Sequence, residues 1–265
     1  MRLNSSNPAL AAFDKPARWD ELAVEKARAN TMTVRGTVIA TSMMFCVVVG
    51  AALLTWTNIV QPKIAAGDTT SLMLWSVGSG IGAFVLGLVG ILASKTAPYV
   101  GFLFAGLKGV SVSCVSAFIM LRWFGNIDQS GLVFQAVTLT FGIFAAMLIA
   151  YGTGVIKASP MFIKIVSVGI IGVMLYGLAL FLTSILGFGI PNLWASASPI
   201  GIGFSCLVVV LASLSLILDF EVVKRGVATG APKRMEWVAG IGLIFSLVWL
   251  YIELLSLLAK LRSGD

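Results

Sequence analysis

Three charged side chains fall inside runs of apolar residues long enough to cross a lipid bilayer: Lys108, Asp219 and Glu253. An ionised side chain at mid-bilayer costs roughly 2.5–3.5 kcal/mol on insertion scales. Such residues are kept where they face a bundle interior, and there they can attract a cation, relay a proton or form an internal ion pair. Lys108 stands near the centre of its run, between Gly106 and Gly109. Glu253 lies a turn or so beyond the centre of the last run, after Trp249-Leu250-Tyr251-Ile252. Both reach similar depth, so a Lys108–Glu253 pair is one expected arrangement, with either a structural or a functional role. Asp219, in Leu218-Asp219-Phe220-Glu221, lies toward the other end of its run. If its helix continues to the break near Gly226, Asp219 is about two turns inside the end, with Lys224 and Arg225 as candidate partners.

These side chains must be positioned by helices. The chain has 265 residues, of which 58% are apolar and only 11% charged, and its mean hydropathy is +1.01. Soluble domains are about a quarter charged, so lipid is the natural solvent here. Seven apolar runs, at 36–57, 72–94, 97–121, 131–156, 161–186, 198–220 and 237–258, each approach the roughly 20 residues that span a hydrocarbon core. The expected fold is therefore an all-α integral membrane bundle of seven helices. It divides into a tail, 1–35, and a membrane domain, 36–262. The tail is polar and mixed in charge, with room for a short surface helix at 20–29, and its first apolar run starts too late and is too long for a signal peptide.

Lys and Arg gather in the tail (Arg2, Lys15, Arg18, Lys26, Arg28, Arg35) and in the loop before the last run (Lys224, Arg225, Lys233, Arg234). Positive residues favour the cytoplasm. The expectation is a multi-pass protein of the plasma (inner) membrane with its N-terminus cytoplasmic and its C-terminus outside. Lys260 and Arg262 pull mildly against that at the far end. The net charge of +7 thus reflects topology rather than nucleic-acid binding.

Several chemistries are excluded. There is no histidine, so no HExxH metalloprotease, His-based serine protease or His-ligated haem is available. Cys46, Cys114 and Cys206 lie in apolar runs without paired spacing, against a disulfide framework or zinc site. No nucleophile–base set is recognisable, so no enzyme and no cofactor are expected. Gly78 and Gly82 form a G-xxx-G pair suited to close helix packing, and no internal repeat marks a transporter architecture.

The stretch Leu218-Asp219-Phe220-Glu221, Arg225-Gly226, Glu236-Trp237 and Leu247-Val248-Trp249-Leu250-Tyr251-Ile252-Glu253-Leu254-Leu255 resembles the actinobacterial branch of the Bax-inhibitor (transmembrane Bax inhibitor motif, or lifeguard) family. Asn7-Pro8 and Met32-Thr33-Val34 followed by Thr41 are similar to that branch as well. The resemblance implies seven spans around a central last helix. It also implies a calcium-leak pathway gated by acidic residues on the last two spans, with Asp219 matching the first and Glu253 the second. Carboxylates suit that task, since calcium is a hard cation taking oxygen ligands. Two carboxylates sharing one site do not both ionise cheaply, which would make the gate pH-sensitive. Where many relatives read Glu-Gly in the third span, this chain reads Lys108-Gly109. A lysine there would bias the pore or neutralise Glu253. The expected function is a pH-sensitive calcium leak channel with Asp219 and Glu253 as calcium ligands, its partners being the bilayer and calcium or protons. The alternative is a non-conducting regulator that binds a membrane quality-control protease or another membrane protein through the tail. A proton-coupled carrier, with Lys108 and Glu253 as a relay, ranks third.

Overall fold

In a bilayer the backbone must satisfy its own hydrogen bonds, so apolar runs of this length fold as helices. The computed structural model describes residues 30–127, 130–187 and 189–263. The tail before residue 30, with the expected surface helix at 20–29, lies outside the described residues. Among the described residues, seven helices are long and apolar enough to cross a membrane: Val34–Ala65, Thr69–Leu92, Ala97–Phe124, Gly131–Gly152, Pro160–Leu186, Pro199–Ala228 and Met235–Arg262, called here the first to seventh spans. Their directions alternate along the chain. Val34, Leu92, Ala97, Gly152, Pro160, Ala228 and Met235 therefore mark one end of the bundle (the Val34 end), and Ala65, Pro199 and Arg262 the other (the Arg262 end).

Two boundaries differ from the sequence reading in ways that matter. The first span does not stop near residue 57 but continues through a wide π turn at Trp56–Val60 into Gln61–Ala65. Pro62 stands in the first turn of that continuation, where its missing N–H is tolerated. The wider turn ahead of it makes room for a ring that would otherwise strike the preceding carbonyls. The sixth span runs on past Phe220 to Ala228, so Asp219 is well inside a helix.

Local capping fixes the turn between the first two spans. Asp68 caps the second helix, its Oδ1 accepting from the Ser71 N–H at 3.0 Å, while Lys63 Nζ donates to Oδ2 at 3.1 Å. The hydrogen bonds from Ser71, and then Lys63, hold the Asp68 carboxyl down at about 2, against an ordinary 3.8. A depressed folded-state value means the cap's contribution is complete above pH 3.8 and is lost as pH falls through about 2. The melting-temperature gap between the parent and Asp68→Asn should accordingly hold steady from neutral pH down to about pH 4 and close towards pH 2. A gap that closes near neutrality instead would contradict this capping geometry.

The seventh span is the axis of the bundle. It packs against the first, second, third, fourth and sixth spans. It also supplies buried side chains to three separate apolar clusters: Leu243, Leu247 and Leu250 against the sixth span, Ile241 and Ile244 against the first to third, and Tyr251 and Leu255 against the fourth. The fifth span is the reverse case. Ile165, Val168, Met174 and Phe181 leave its outer face exposed, as lipid contact requires. The glycines of the second span do serve close packing, with a shift of register from the expected pair. A Cβ at Gly87 or Gly90 would press on Phe245 or Ile241 of the seventh span, and one at Gly82 on Leu107, whereas Gly78 faces open space.

Candidate functional site

The polar atoms buried around the seventh span form three levels rather than one site. At the Val34 end, Glu236 opens the seventh helix and is 4% exposed. Its Oε1 accepts both the backbone N–H and the hydroxyl of Thr33, each at 2.9 Å. Thr33 is in turn the N-cap of the first span, accepting from the Gly36 N–H at 2.9 Å. The chain just before it is clamped as well: Met32 N–H donates to Ala231 O at 2.7 Å and Lys233 N–H to Asn30 O at 2.8 Å. The short N-terminal motif Met32-Thr33-Val34 and the Glu236-Trp237 pair, far apart in sequence, are thus two halves of one junction.

The middle level belongs to Asp219. Its carboxylate faces the seventh span beside Gly242, whose ideal Cβ position lies 3.9 Å from Oδ1, with the Ser246 hydroxyl one turn further on interacting with it at longer range. Oδ2 is buried and, among the described residues, meets no hydrogen-bond partner. The proposed partners lie elsewhere. Arg225 Nε binds Glu221 Oε1 at 2.6 Å, Tyr151 donates its hydroxyl to Glu221 Oε2 at 2.6 Å, and Lys224 stands over the Tyr151 ring. Helix geometry explains the exchange: Arg225 is four residues beyond Glu221 and shares its face, whereas Asp219 is turned inward by the apolar residues around it.

On the opposite flank of the seventh span, Lys108 is half-buried, with its Nζ 5.0 Å from the centre of the Phe245 ring. No ion pair with Glu253 forms. A desolvated cation–π contact is worth about 2 kcal/mol, which offsets much of the roughly 2.5–3.5 kcal/mol that mid-bilayer placement costs.

The third level lies toward the Arg262 end. Glu253 is 6% exposed, and its Oε1 accepts from two indoles, Trp249 Nε1 at 3.2 Å and Trp194 Nε1 at 3.3 Å. Oε2 is buried with no partner among the described residues. Trp194 comes from the connection between the fifth and sixth spans, in the single turn Leu193–Ala195. It is wedged there among Tyr176 and Phe204, with ring centres 5.2 Å apart. Two helical turns beyond Glu253, Lys260 is fully buried. Its Nζ donates to Leu193 O at 2.9 Å, Gly201 O at 3.3 Å and Ser205 Oγ at 2.6 Å.

Asp219 and Glu253 do not share a site in this structure. Along the seventh helix, Glu253 is seven to eleven residues past the level of Ser246 and Gly242, about 10–16 Å at 1.5 Å per residue. Calcium–oxygen bonds are only about 2.3–2.6 Å, so one ion cannot bridge them here. Leu216, Leu247 and Leu250, all buried, fill the seam between the two levels. Among the described residues no cluster of three or more His, Cys, Asp or Glu could hold a metal.

Sequence reasoning missed the partners more than the charges. Lys260 reads as an interfacial lysine because it lies in the last turn, yet its spacing of seven from Glu253 puts both on one helix face, a signal that was available. Trp194 carries no such signal, since nothing in a loop sequence says that its indole re-enters the bundle.

A family model described as Bax inhibitor 1 like matches residues 11–263, nearly the whole chain. No curated protein and no solved structure matches.

Proposed function

The chain belongs to the Bax inhibitor 1 like family of membrane proteins, and from that premise we propose that it is a pH-sensitive cation leak channel, with calcium as the favoured ion. The observation that carries this reading is the pair of bilayer-embedded carboxylates, Asp219 and Glu253, each with one buried oxygen that meets no partner among the described residues. A buried acceptor of that kind costs of the order of 1–3 kcal/mol or more when charged. It is tolerated where a proton or a transiting cation satisfies it.

The pathway is the seam between the sixth and seventh spans, with a carboxylate at each of two levels and a leucine plug between them. In this closed arrangement no ion passes. A change in the charge state of either carboxylate changes its demand for water, and hydration of the seam is what would part the leucines. The gate is thus two single-carboxylate stations in series. Lys108 stands on the other flank of the seventh span and imposes a positive potential on the same helix, favouring weak, slow conduction over a high-throughput pore. The lysines and arginines of the tail and of the loop before the seventh span support a cytoplasmic N-terminus. Asp219 then lies nearer the cytoplasmic side and Glu253 nearer the outer one.

The test is calcium flux into liposomes holding the purified chain, measured across a pH series. Asp219→Asn and Glu253→Gln should each displace the pH profile, and the double variant should remove the pH dependence. Parent protein that passes no calcium at any pH would overturn the proposal. If such protein still captures another membrane protein through residues 1–29, the regulatory role takes its place.

A further inference from the structure

We propose that Lys260 is a tethered cation: its ammonium occupies an oxygen-lined cation site at the Arg262 end of the sixth/seventh seam and keeps that mouth closed. The inference deepens the leak-channel reading and rests on it for its role in transport. The ammonium has three donors and no acceptor, and all three are used, on Leu193 O, Gly201 O and Ser205 Oγ. Carbonyl and hydroxyl oxygens converging on one point are the ligands that hard metal cations take. A buried lysine ordinarily seeks a carboxylate. Glu253 is close enough to act on Lys260 electrostatically, yet its hydrogen bonds go to two indoles and its second oxygen stays open. The site therefore holds neutral oxygen ligands, with the Glu253 carboxylate nearby but not in an ion pair with the ammonium and its second oxygen uncommitted, and the cation within the site is the chain's own.

The position makes this occupancy consequential. Leu193 belongs to the turn that caps the seam, and Gly201 and Ser205 begin the sixth span. One ammonium thus pins the capping turn to both helices that line the pathway. A cation arriving from the Arg262 side must displace the ammonium to be coordinated, and its binding would release the turn. Entry and opening become one event, with affinity set by the difference between the free ion and the tethered one. A site of this ligand count, already neutralised, belongs in the millimolar range of weak calcium sites.

The full chain in detergent micelles, without any transport, supplies the test. Trp194 and Trp249 both touch Glu253, so terbium bound beside that carboxylate should luminesce when the indoles are excited. Lys260→Met should gain a terbium signal that calcium competes away, while the parent and Lys260→Arg show little. Adding Glu253→Gln to Lys260→Met should abolish the gain. Folded Lys260→Met with no gain, or with a gain that survives Glu253→Gln, overturns the proposal. Should Lys260→Met not fold, amine acetylation of the parent decides. Labelling of Lys260, read by mass spectrometry, should rise several-fold as calcium is raised into the millimolar range, and unchanged labelling overturns the site. Because neither measurement needs flux, a terbium gain in a protein without leak upholds the site and removes the channel. A leak with no terbium gain does the reverse.

Discussion

Gly109→Leu is expected to yield no recoverable folded protein, and Gly109→Ala to lower stability by roughly 1–3 kcal/mol or more, the range for overpacking a close contact. The third span approaches the first backbone to backbone at this residue. A Cβ there would land on the Val48 carbonyl oxygen, 2.8 Å from Ala51 Cβ and 3.0 Å from Ala52 N. None of these is the movable tip of a side chain. To make room, the first helix would have to break its own hydrogen bonds or leave the bundle. In lipid, helix association rests on such close packing, with no hydrophobic drive to replace it. The neighbouring residue raises the stakes, because Lys108 is aimed at Phe245 by the same approach. Once the third span is pushed outward, a cation is left in hydrocarbon without its ring. Gly142 and Gly78 are the internal controls. Nothing lies within 4 Å of a Cβ at either, so alanine there should be neutral or slightly stabilising, helix propensity favouring it by up to about 1 kcal/mol. Thermal unfolding followed by helical circular dichroism in detergent checks all four variants. Gly109→Ala melting with the parent would mean that the two spans stand further apart than described.

Glu236→Ala should be the most damaging single change at the Val34 end, costing roughly 2–4 kcal/mol, since it removes a buried charged acceptor with two donors on it. Thr33, itself exposed, would have to turn its N–H and hydroxyl to water, and its capping geometry on the first span would loosen. Glu236→Gln is the informative companion. Its amide oxygen can still accept from both Thr33 donors, so about half the loss should return, charge-assisted bonds being roughly twice as strong as neutral ones. Gly36 explains why the junction admits no bulk: a Cβ there would coincide with the Glu236 carboxylate. If Glu236→Gln proves as destabilising as Glu236→Ala, the charge itself matters and a cation facing Glu236 has to be found.

How far the site could be read in advance differs from residue to residue. Lys108, Asp219 and Glu253 announce themselves, because a charge in an apolar run is costly wherever the helix later packs. Their partners do not. Lys108 meets Phe245 rather than Glu253, and Glu253 meets two indoles. Asp219 meets Gly242 and Ser246 rather than Lys224 or Arg225. A contact between Asp219 and Glu253, which the sequence left open, is ruled out in this arrangement by axial distance alone. Residue counting already hinted at this, but the sixth span's continuation to Ala228 was needed to set the level of Asp219.

The order of amino acids was sufficient for the class of fold, the number of spans, the family and the buried charges, because each follows from hydropathy and local spacing along one helix. The register of each span against the last helix, whose central place the resemblance already implied, and which oxygen receives each proton depend on how far neighbouring helices slide and rotate against one another. That is settled by a few close contacts, such as Gly109 on Val48 and Glu236 on Thr33. Side-chain atoms separated by up to two hundred residues meet there at bonding distance, and no periodicity in a single chain encodes that. Lys260 shows the difference most plainly: in the sequence it is a lysine near an exit, and in the folded bundle it is the cation at the door.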